Sequence, residues 1–242
     1  MKTAALPYWE LIRESLTETI WPVRCALCDT PGESLCARCE RSLPYIDQNE
    51  ACPVCGAAFG KLACTECNKL TLGLRGLSEF PLDGCRSVCR ASPKALKIVR
   101  IYKDSGDRTL AEPLSRLLAQ AIPATWSNAH LVPIPARANA LKKRGFDHVE
   151  ALSSKLARCA HLHRSLLLTH AGKQDQRELD AAARLANMRD AFILQPDSRA
   201  TVPSKVILLD DVITTGATIY AAAECLRQAG VKEVYGLSFA RV

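Results

Sequence analysis

The chain has 242 residues, 48% hydrophobic and 5% aromatic, with 32 Lys and Arg against 25 Asp and Glu, and 12 Cys. That length excludes a disulfide-stapled miniprotein, and that apolar content excludes a disordered chain. The charge is uneven: residues 1–90 carry 10 basic and 11 acidic side chains and residues 91–242 carry 22 and 14, so the basic excess lies outside the cysteine-rich part.

Residues 7–20 read as a short amphipathic helix, with Trp9, Ile12, Leu16 and Ile20 on one face. Glu10, Arg13, Glu14 and Glu18 interrupt the apolar run an export signal needs. No charge-free stretch approaches the roughly 18 apolar residues of a membrane span. The expectation is a cytoplasmic chain without membrane insertion. In a reducing compartment, paired thiols read as metal ligands.

Eight of the cysteines form four CxxC pairs: Cys25/Cys28, Cys36/Cys39, Cys52/Cys55 and Cys64/Cys67. Each CxxC turn presents two thiolates to one tetrahedral ion, and two turns close a site with no open position. Two structural Zn²⁺ sites follow. The sequential pairing, Cys25/Cys28 with Cys36/Cys39 and Cys52/Cys55 with Cys64/Cys67, is preferred, and a cross-braced pairing stays open. Four thiolates per zinc add negative charge, so a ribbon that grips phosphates by bulk electrostatics is disfavoured. The Cys, Pro and Gly content of residues 25–67 needs the metal in place of a hydrophobic core. Cys85 and Cys89 read as ordinary buried thiols rather than a partial third site.

Beyond about residue 86, helical and strand-like stretches alternate. Pro93 to Ile101 reads as a helix, 103–107 as a turn, 108–121 as a helix and 130–135 as a buried strand. Residues 145–160 read as a helix with Phe146, Val149, Leu152 and Leu156 on one face. Residues 164–168 are strand-like, 178–192 helical, 205–211 a strand, 217–230 a helix closed by Gly230, and 233–241 a last strand. Such alternation implies βαβ units and a mostly parallel sheet.

The most informative string is Val206 to Thr218, VILLDDVITTGAT. Four apolar residues run up a strand, Asp210 and Asp211 stand at its carboxyl end, and a Thr/Gly turn opens a helix. Ligands of open α/β sheets bind outside the carboxyl ends of strands. The amides of Thr215, Gly216 and Ala217 and the hydroxyls of Thr214, Thr215 and Thr218 sit where donors and helix dipole both favour a phosphate. Asp210 and Asp211 suit sugar hydroxyls and the placement of Mg²⁺. A sugar phosphate with vicinal hydroxyls is the ligand this order of residues fits. Arg137, Lys142, Lys143 and Arg144 leave the carboxyl end of the strand at 130–135, as a solvated turn or as a pyrophosphate or nucleic-acid contact. Lys103 and Arg108 flank another turn and are placed to supply pyrophosphate charge. His130, His161, His163 and His170 match no ligand spacing and read as structural.

The 206–218 string resembles the phosphoribosyl pyrophosphate (PRPP) loop of type I phosphoribosyltransferases. With the CxxC ribbons, Trp21-Pro22-Val23-Arg24-Cys25, Tyr102-Lys103, Val132-Pro133-Ile134-Pro135, Arg144-Gly145-Phe146-Asp147-His148, and Gln176 and Leu179 ahead of Arg184 and Asn187, the chain is similar to the ComF family. The resemblance implies an α/β, type I phosphoribosyltransferase-like fold with a mostly parallel central sheet, preceded by a small zinc-ribbon module. By position it places Asp210 and Asp211 on the ribose hydroxyls, Thr214 to Thr218 on the 5′-phosphate, and Arg137 facing the pyrophosphate. It implies Mg²⁺ with PRPP, and single-stranded DNA and DNA-uptake machinery as partners. Asp147-His148 stands where family members often have Asn-Gln, and its role stays open. Thr214 replaces the acid of hypoxanthine-guanine transferases, as in orotate-type loops, so a purine acceptor is less favoured.

The expected organisation is an amphipathic helix in 1–22, a double zinc ribbon in 23–70, a connector or hood in 71–92 and the phosphoribosyltransferase-like domain in 93–242. No hood follows the last strand, so one must come from upstream, and the zinc ribbons are the candidates to shape a second-substrate pocket. Three functions are weighed: a Mg²⁺-dependent PRPP enzyme with unidentified acceptor; a non-catalytic PRPP or nucleotide sensor in single-stranded DNA handling during uptake; and a ribbon interaction protein whose fold has lost its ligand. The intact 210–218 string disfavours the third.

Overall fold

The computed structural model describes residues 22–171, 191–196 and 202–242. The chain divides into two compact units, Met1–Leu43 and Pro44–Val242. The N-terminal helix expected in 7–20, the Gln176–Asn187 motif and most of the helix expected over 178–192 lie outside the described residues.

In the first unit the Cys25 amide donates to Thr30 O at 2.9 Å and Gly32 N to Val23 O at 2.8 Å, closing a ribbon turn. A short helix, α1 (Ala37–Arg41), follows Cys36. The second unit opens with the Cys52–Cys67 ribbon. Helix α2 (Lys69–Leu74) starts at Asn68, whose side chain accepts from Thr71 N, an ordinary N-cap.

Strand β1 (Gly84–Arg90) comes next, then α3 (Pro93–Asp104), α4 (Ala111–Ala121), β2 (His130–Pro133), α5 (Ala138–Arg144), α6 (His148–Cys159), β3 (His163–Arg164), β4 (Leu168–His170), β5 (Phe192–Leu194), β6 (Lys205–Ile213), α7 (Ala217–Gln228) and β7 (Glu233–Arg241). Ser92 caps α3 through Ala95 N, with Pro93 in the first turn. Ala95, Ile98, Val99 and Tyr102 then form its buried stripe.

Five strands make one sheet in the order β1-β7-β6-β2-β3, and every pair is parallel. A parallel sheet is covered on both faces, so its central strands read as continuous apolar runs. Val206, Ile207, Leu208 and Leu209 of β6 are accordingly all fully buried. The Ser87 and Ser238 hydroxyls lie 2.8 Å apart where β1 meets β7, each satisfying the other inside the sheet. β4 and β5 form a separate antiparallel pair. No helix among the described residues is long and apolar enough to cross a membrane.

Four sequence expectations change. Residues 71–92, expected as connector or hood, contain β1, an edge strand of the main sheet; its burial comes from pairing with β7, where Gly84 meets Tyr235, and its own pattern shows no clean alternation. Phe146 lies outside α6, because Asp147 accepts from Val149 N and Glu150 N and so begins the helix after it. The stretch 164–168 splits between β3 and β4 rather than forming one strand. Phe192 belongs to β5, paired with His170, and not to a helix.

Candidate functional site

The eight paired cysteines gather into two clusters, Cys25/Cys28/Cys36/Cys39 and Cys52/Cys55/Cys64/Cys67, with the ligand atoms of each within 4.8 Å of one another. This is the sequential arrangement, not the cross-braced one. Sulfur–sulfur separations are 3.7 Å for Cys28–Cys36, 3.6 Å for Cys52–Cys67 and 3.5 Å for Cys55–Cys64. Tetrahedral zinc with bonds of about 2.3 Å requires edges of about 3.75 Å, so both clusters are consistent with structural Zn²⁺. Burial pushes the Cys55 thiol up; coordination, which needs the thiolate, would have to supply the compensating stabilisation. Cys85 and Cys89 belong to neither cluster. They are buried in β1, where Cys89 Sγ donates to Phe239 O at 3.3 Å, and burial raises the Cys89 thiol to about 12.

The second site lies at the carboxyl end of β6. Asp211 is 8% exposed, and its Oδ2 accepts from Lys103 Nζ at 3.0 Å and His148 Nε2 at 2.9 Å. Lys103 comes from the last turn of α3 and His148 from the first turn of α6. Asp147 sets that turn by capping α6 and also accepts from Ala136 N at 2.6 Å, tying down the loop that carries Arg137. Tyr102 Oη donates to the His148 carbonyl at 2.8 Å.

Burial alone would raise the Asp211 carboxyl, but the His148 hydrogen bond and the Lys103 charge outweigh it and hold the group well below the usual carboxylate range. Asp210 is the opposite case: burial first, then the adjacent Asp211 charge, push it up to about 8. The two adjacent carboxyls are thus driven apart, one fixed as an anion and one able to hold a proton near neutrality.

The turn that follows is open. Thr214, Thr215 and Thr218 are exposed. Gly216 takes φ +79° and caps α7 without a side-chain hydrogen bond of its own; the Ala217 amide donates to Thr215 Oγ1 at 3.4 Å, and the first-turn amides beyond it are placed to meet an anion. A Cβ at Gly216 would run into the Tyr220 ring. The structure thus places Asp210, Asp211 and Thr214 to Thr218 together.

The basic residues are placed less uniformly. Arg137 is exposed at the start of α5. Lys103 is engaged by Asp211, and Arg144 Nε pairs with Asp104 Oδ1 at 3.2 Å with 17% of its side chain exposed. Both are therefore charge-balanced within the protein.

Residues 16–70 match the family described as Double zinc ribbon domain. The chain is 25% identical to the Competence protein ComFC of Bacillus subtilis strain 168, over 85% of this chain and 89% of that protein. It is 26% identical to the DNA utilization protein YhgH of Salmonella typhimurium, over 88% of this chain and 94% of that protein. The chain is thus similar to ComF-type proteins over most of its length. Among solved structures, the allosteric regulatory enzyme of purine biosynthesis overlaps 53% of this chain and 25% of its own length, at 20% identity and a TM-score of 0.38.

Sequence reasoning did not assign His148 a partner. The signal was present: an Asp immediately before an apolar-periodic stretch is a helix cap, which puts the next residue in the first turn. What that turn faces depends on the sheet order, which the string does not encode. In this protein it faces Asp211, 63 residues further on.

Proposed function

We propose that the second unit is a type I phosphoribosyltransferase-like domain that binds PRPP or a related ribose phosphate, and that the protein uses this binding in handling single-stranded DNA during uptake. One observation carries the reading: an anchored carboxylate, Asp211, stands at a strand end directly before a helix N-terminus whose N-cap, Gly216, supplies no side-chain hydrogen bond. In this reading Asp210 and Asp211 receive ribose hydroxyls, and Thr214, Thr215, Gly216, Ala217 and Thr218 receive the 5′-phosphate. Arg137 reaches the pyrophosphate, while Lys103 and Arg144 hold Asp211 and the end of α5 in position. Neither Asp210 nor Asp211 joins a third group in a cluster able to hold a metal among the described residues, so Mg²⁺ would enter with the pyrophosphate, whose charge it neutralises. The names of the matched relatives, a competence protein and a DNA utilization protein, support the DNA-handling half.

The divergent carboxyls favour a second reading, pentosyl transfer: a nucleophile forms a bond to ribose C1 as the bond to pyrophosphate breaks, and Asp210, titrating near neutrality, stands within the sugar site.

Calorimetry with PRPP and Mg²⁺ tests the common part. Wild type binds and Asp210→Ala/Asp211→Ala does not; no binding by wild type sinks both readings. Pyrophosphate release with a panel of acceptors separates the second from the first. For the DNA half, Lys142 and Lys143 are exposed on α5. Neutralising both should flatten the log–log salt dependence of single-stranded DNA binding by about 1.4, at about 0.7 per phosphate contact.

A further inference from the structure

The second cysteine cluster reaches the phosphate loop through two aromatic side chains that neither the zinc chemistry nor the phosphate contacts use. The ribbon has little apolar core of its own: Cys52, Cys55 and Ala57 are buried together, with Cys64, Cys67 and Phe80 packed against them. Four of these six residues are the paired cysteines, so the cluster keeps its shape only while a metal holds them. The ribbon is also pressed onto the sheet. Gly56 takes φ +74°, and a Cβ there would stand 2.6 Å from Cys85 O in β1. Glu66, between Cys64 and Cys67, pairs through Oε2 with Arg241 Nη2 at the end of β7, at 2.5 Å.

Phe80 joins this cluster to the core. It also packs against the main apolar cluster, which contains Ile219 and Tyr220 of α7. Its ring meets Tyr220 edge-on, with centroids 5.3 Å apart and planes at 74°, a favourable aromatic geometry. Tyr220 is 6% exposed, and its Cζ and Oη fill the space that a Cβ on Gly216 would need. Its amide donates to Gly216 O at 2.9 Å, closing the first turn of α7. The buried ring thus backs the middle residue of the 214–218 loop. Contacts run from the cysteine cluster to Phe80, from Phe80 to Tyr220 and from Tyr220 to Gly216. Removing the metal dissolves the wall on which Phe80 rests and frees its ring to move off Tyr220.

We propose that Phe80 and Tyr220 are positioning residues through which zinc in the second ribbon holds the 214–218 loop in its phosphate-receiving shape. That a pentose phosphate is the ligand of the loop rests on the function proposed above; the link from zinc to loop rests on the packing alone. Coupling between two sites is typically about 5- to 150-fold in affinity, and it is reciprocal. A ligand on the loop therefore tightens the zinc of this ribbon by the factor by which that zinc tightens the ligand.

Hydrogen–deuterium exchange on the full chain, prepared with zinc, reads the link without a ligand. Amides 220–223 of α7 should exchange about fivefold faster or more in Cys64→Ser and in Phe80→Ala, with the amides of α4 at their wild-type rates. Phe80→Leu, which refills most of the space, should restore protection, and Leu77→Ala, which thins the main apolar cluster, should leave it within twofold. Ribose 5-phosphate, followed by calorimetry, should bind about fivefold more weakly to Cys64→Ser and Phe80→Ala. In chelator competition, saturating ribose 5-phosphate should tighten one zinc of the wild type by a matching factor, and the zinc that Cys64→Ser retains should not respond. A Phe80 that only fills space would leave zinc affinity indifferent to the sugar phosphate. Exchange at 220–223 within twofold of wild type in Phe80→Ala, an equal acceleration in α4, or zinc affinities indifferent to bound ribose 5-phosphate overturns the proposal. Failure of the wild type to bind ribose 5-phosphate or PRPP overturns the function proposed above instead, and the exchange comparison still decides the link between zinc and loop.

Discussion

Replacing His148 with Ala removes the imidazole that donates to Asp211 and leaves Oδ2 of a buried carboxylate with Lys103 at 3.0 Å as its side-chain donor, while Oδ1 still accepts from Val212 N at 2.8 Å. Breaking a buried charged pair outright costs about 3–5 kcal/mol. Because Lys103 remains, the expected loss in stability is lower, about 2–3 kcal/mol, close to the range for a hydrogen bond to a charged group. A double-mutant cycle with Asp211→Asn isolates the pair from the packing lost with the ring. Urea unfolding followed by far-ultraviolet circular dichroism, in one zinc-containing buffer for all four proteins, should return a coupling of about 1.5–3 kcal/mol at pH 7. The pH dependence has a definite sign. The Asp211 carboxyl is depressed in the folded state, so its contribution is complete above its unfolded value of about 4 and is lost as pH falls through the lower folded value. Asp211 should therefore contribute as fully at pH 5 as at pH 7. A coupling below about 0.5 kcal/mol, the scale of surface pairs, would refute the anchored-carboxylate argument.

Asp210 has the opposite sign. Its carboxyl ionises near 4 when unfolded but only at about 8 when folded, so the folded state binds the extra proton in between and stability falls as pH rises. Asp210→Asn should stabilise the fold by about 1–3 kcal/mol at pH 8 and by less at pH 5, read from urea midpoints. Metal analysis should give two zinc ions per chain. Cys28→Ser and Cys55→Ser should each lose one of these, while Cys85→Ser and Cys89→Ser keep both; one substitution that releases both ions would contradict two independent clusters. Gly216→Ala combines a left-handed φ with a collision at Tyr220 and should cost about 1–3 kcal/mol. It should also weaken phosphate binding, whereas Gly73→Ala, whose Cβ would meet nothing, should do neither.

Much of this protein is local in origin. The cysteine spacing restricts which thiolates can share an ion. The apolar run of β6, the Thr/Gly turn and the stripe of α7 are each set by neighbours within a few residues, and so are the caps at Ser92 and Asp147. Such features follow from backbone sterics and hydrogen bonding over one or two turns, which a sequence pattern displays directly. The choice between sequential and cross-braced zinc pairing was already beyond that range.

What the tertiary structure alone decided are the meetings between distant segments. β1 is an edge strand because β7 pairs with it, and its residues Gly84 to Arg90 would otherwise look like a linker. Asp211 is anchored because the sheet order brings the end of α3 and the start of α6 to the end of β6, across 108 and 63 residues. Arg241 reaches Glu66 across 175 residues, and that contact ties the Cys52–Cys67 ribbon to the end of β7. Residue patterns carry the period of an element but not the partner it will find, because the partner is selected by burying both faces of one shared sheet.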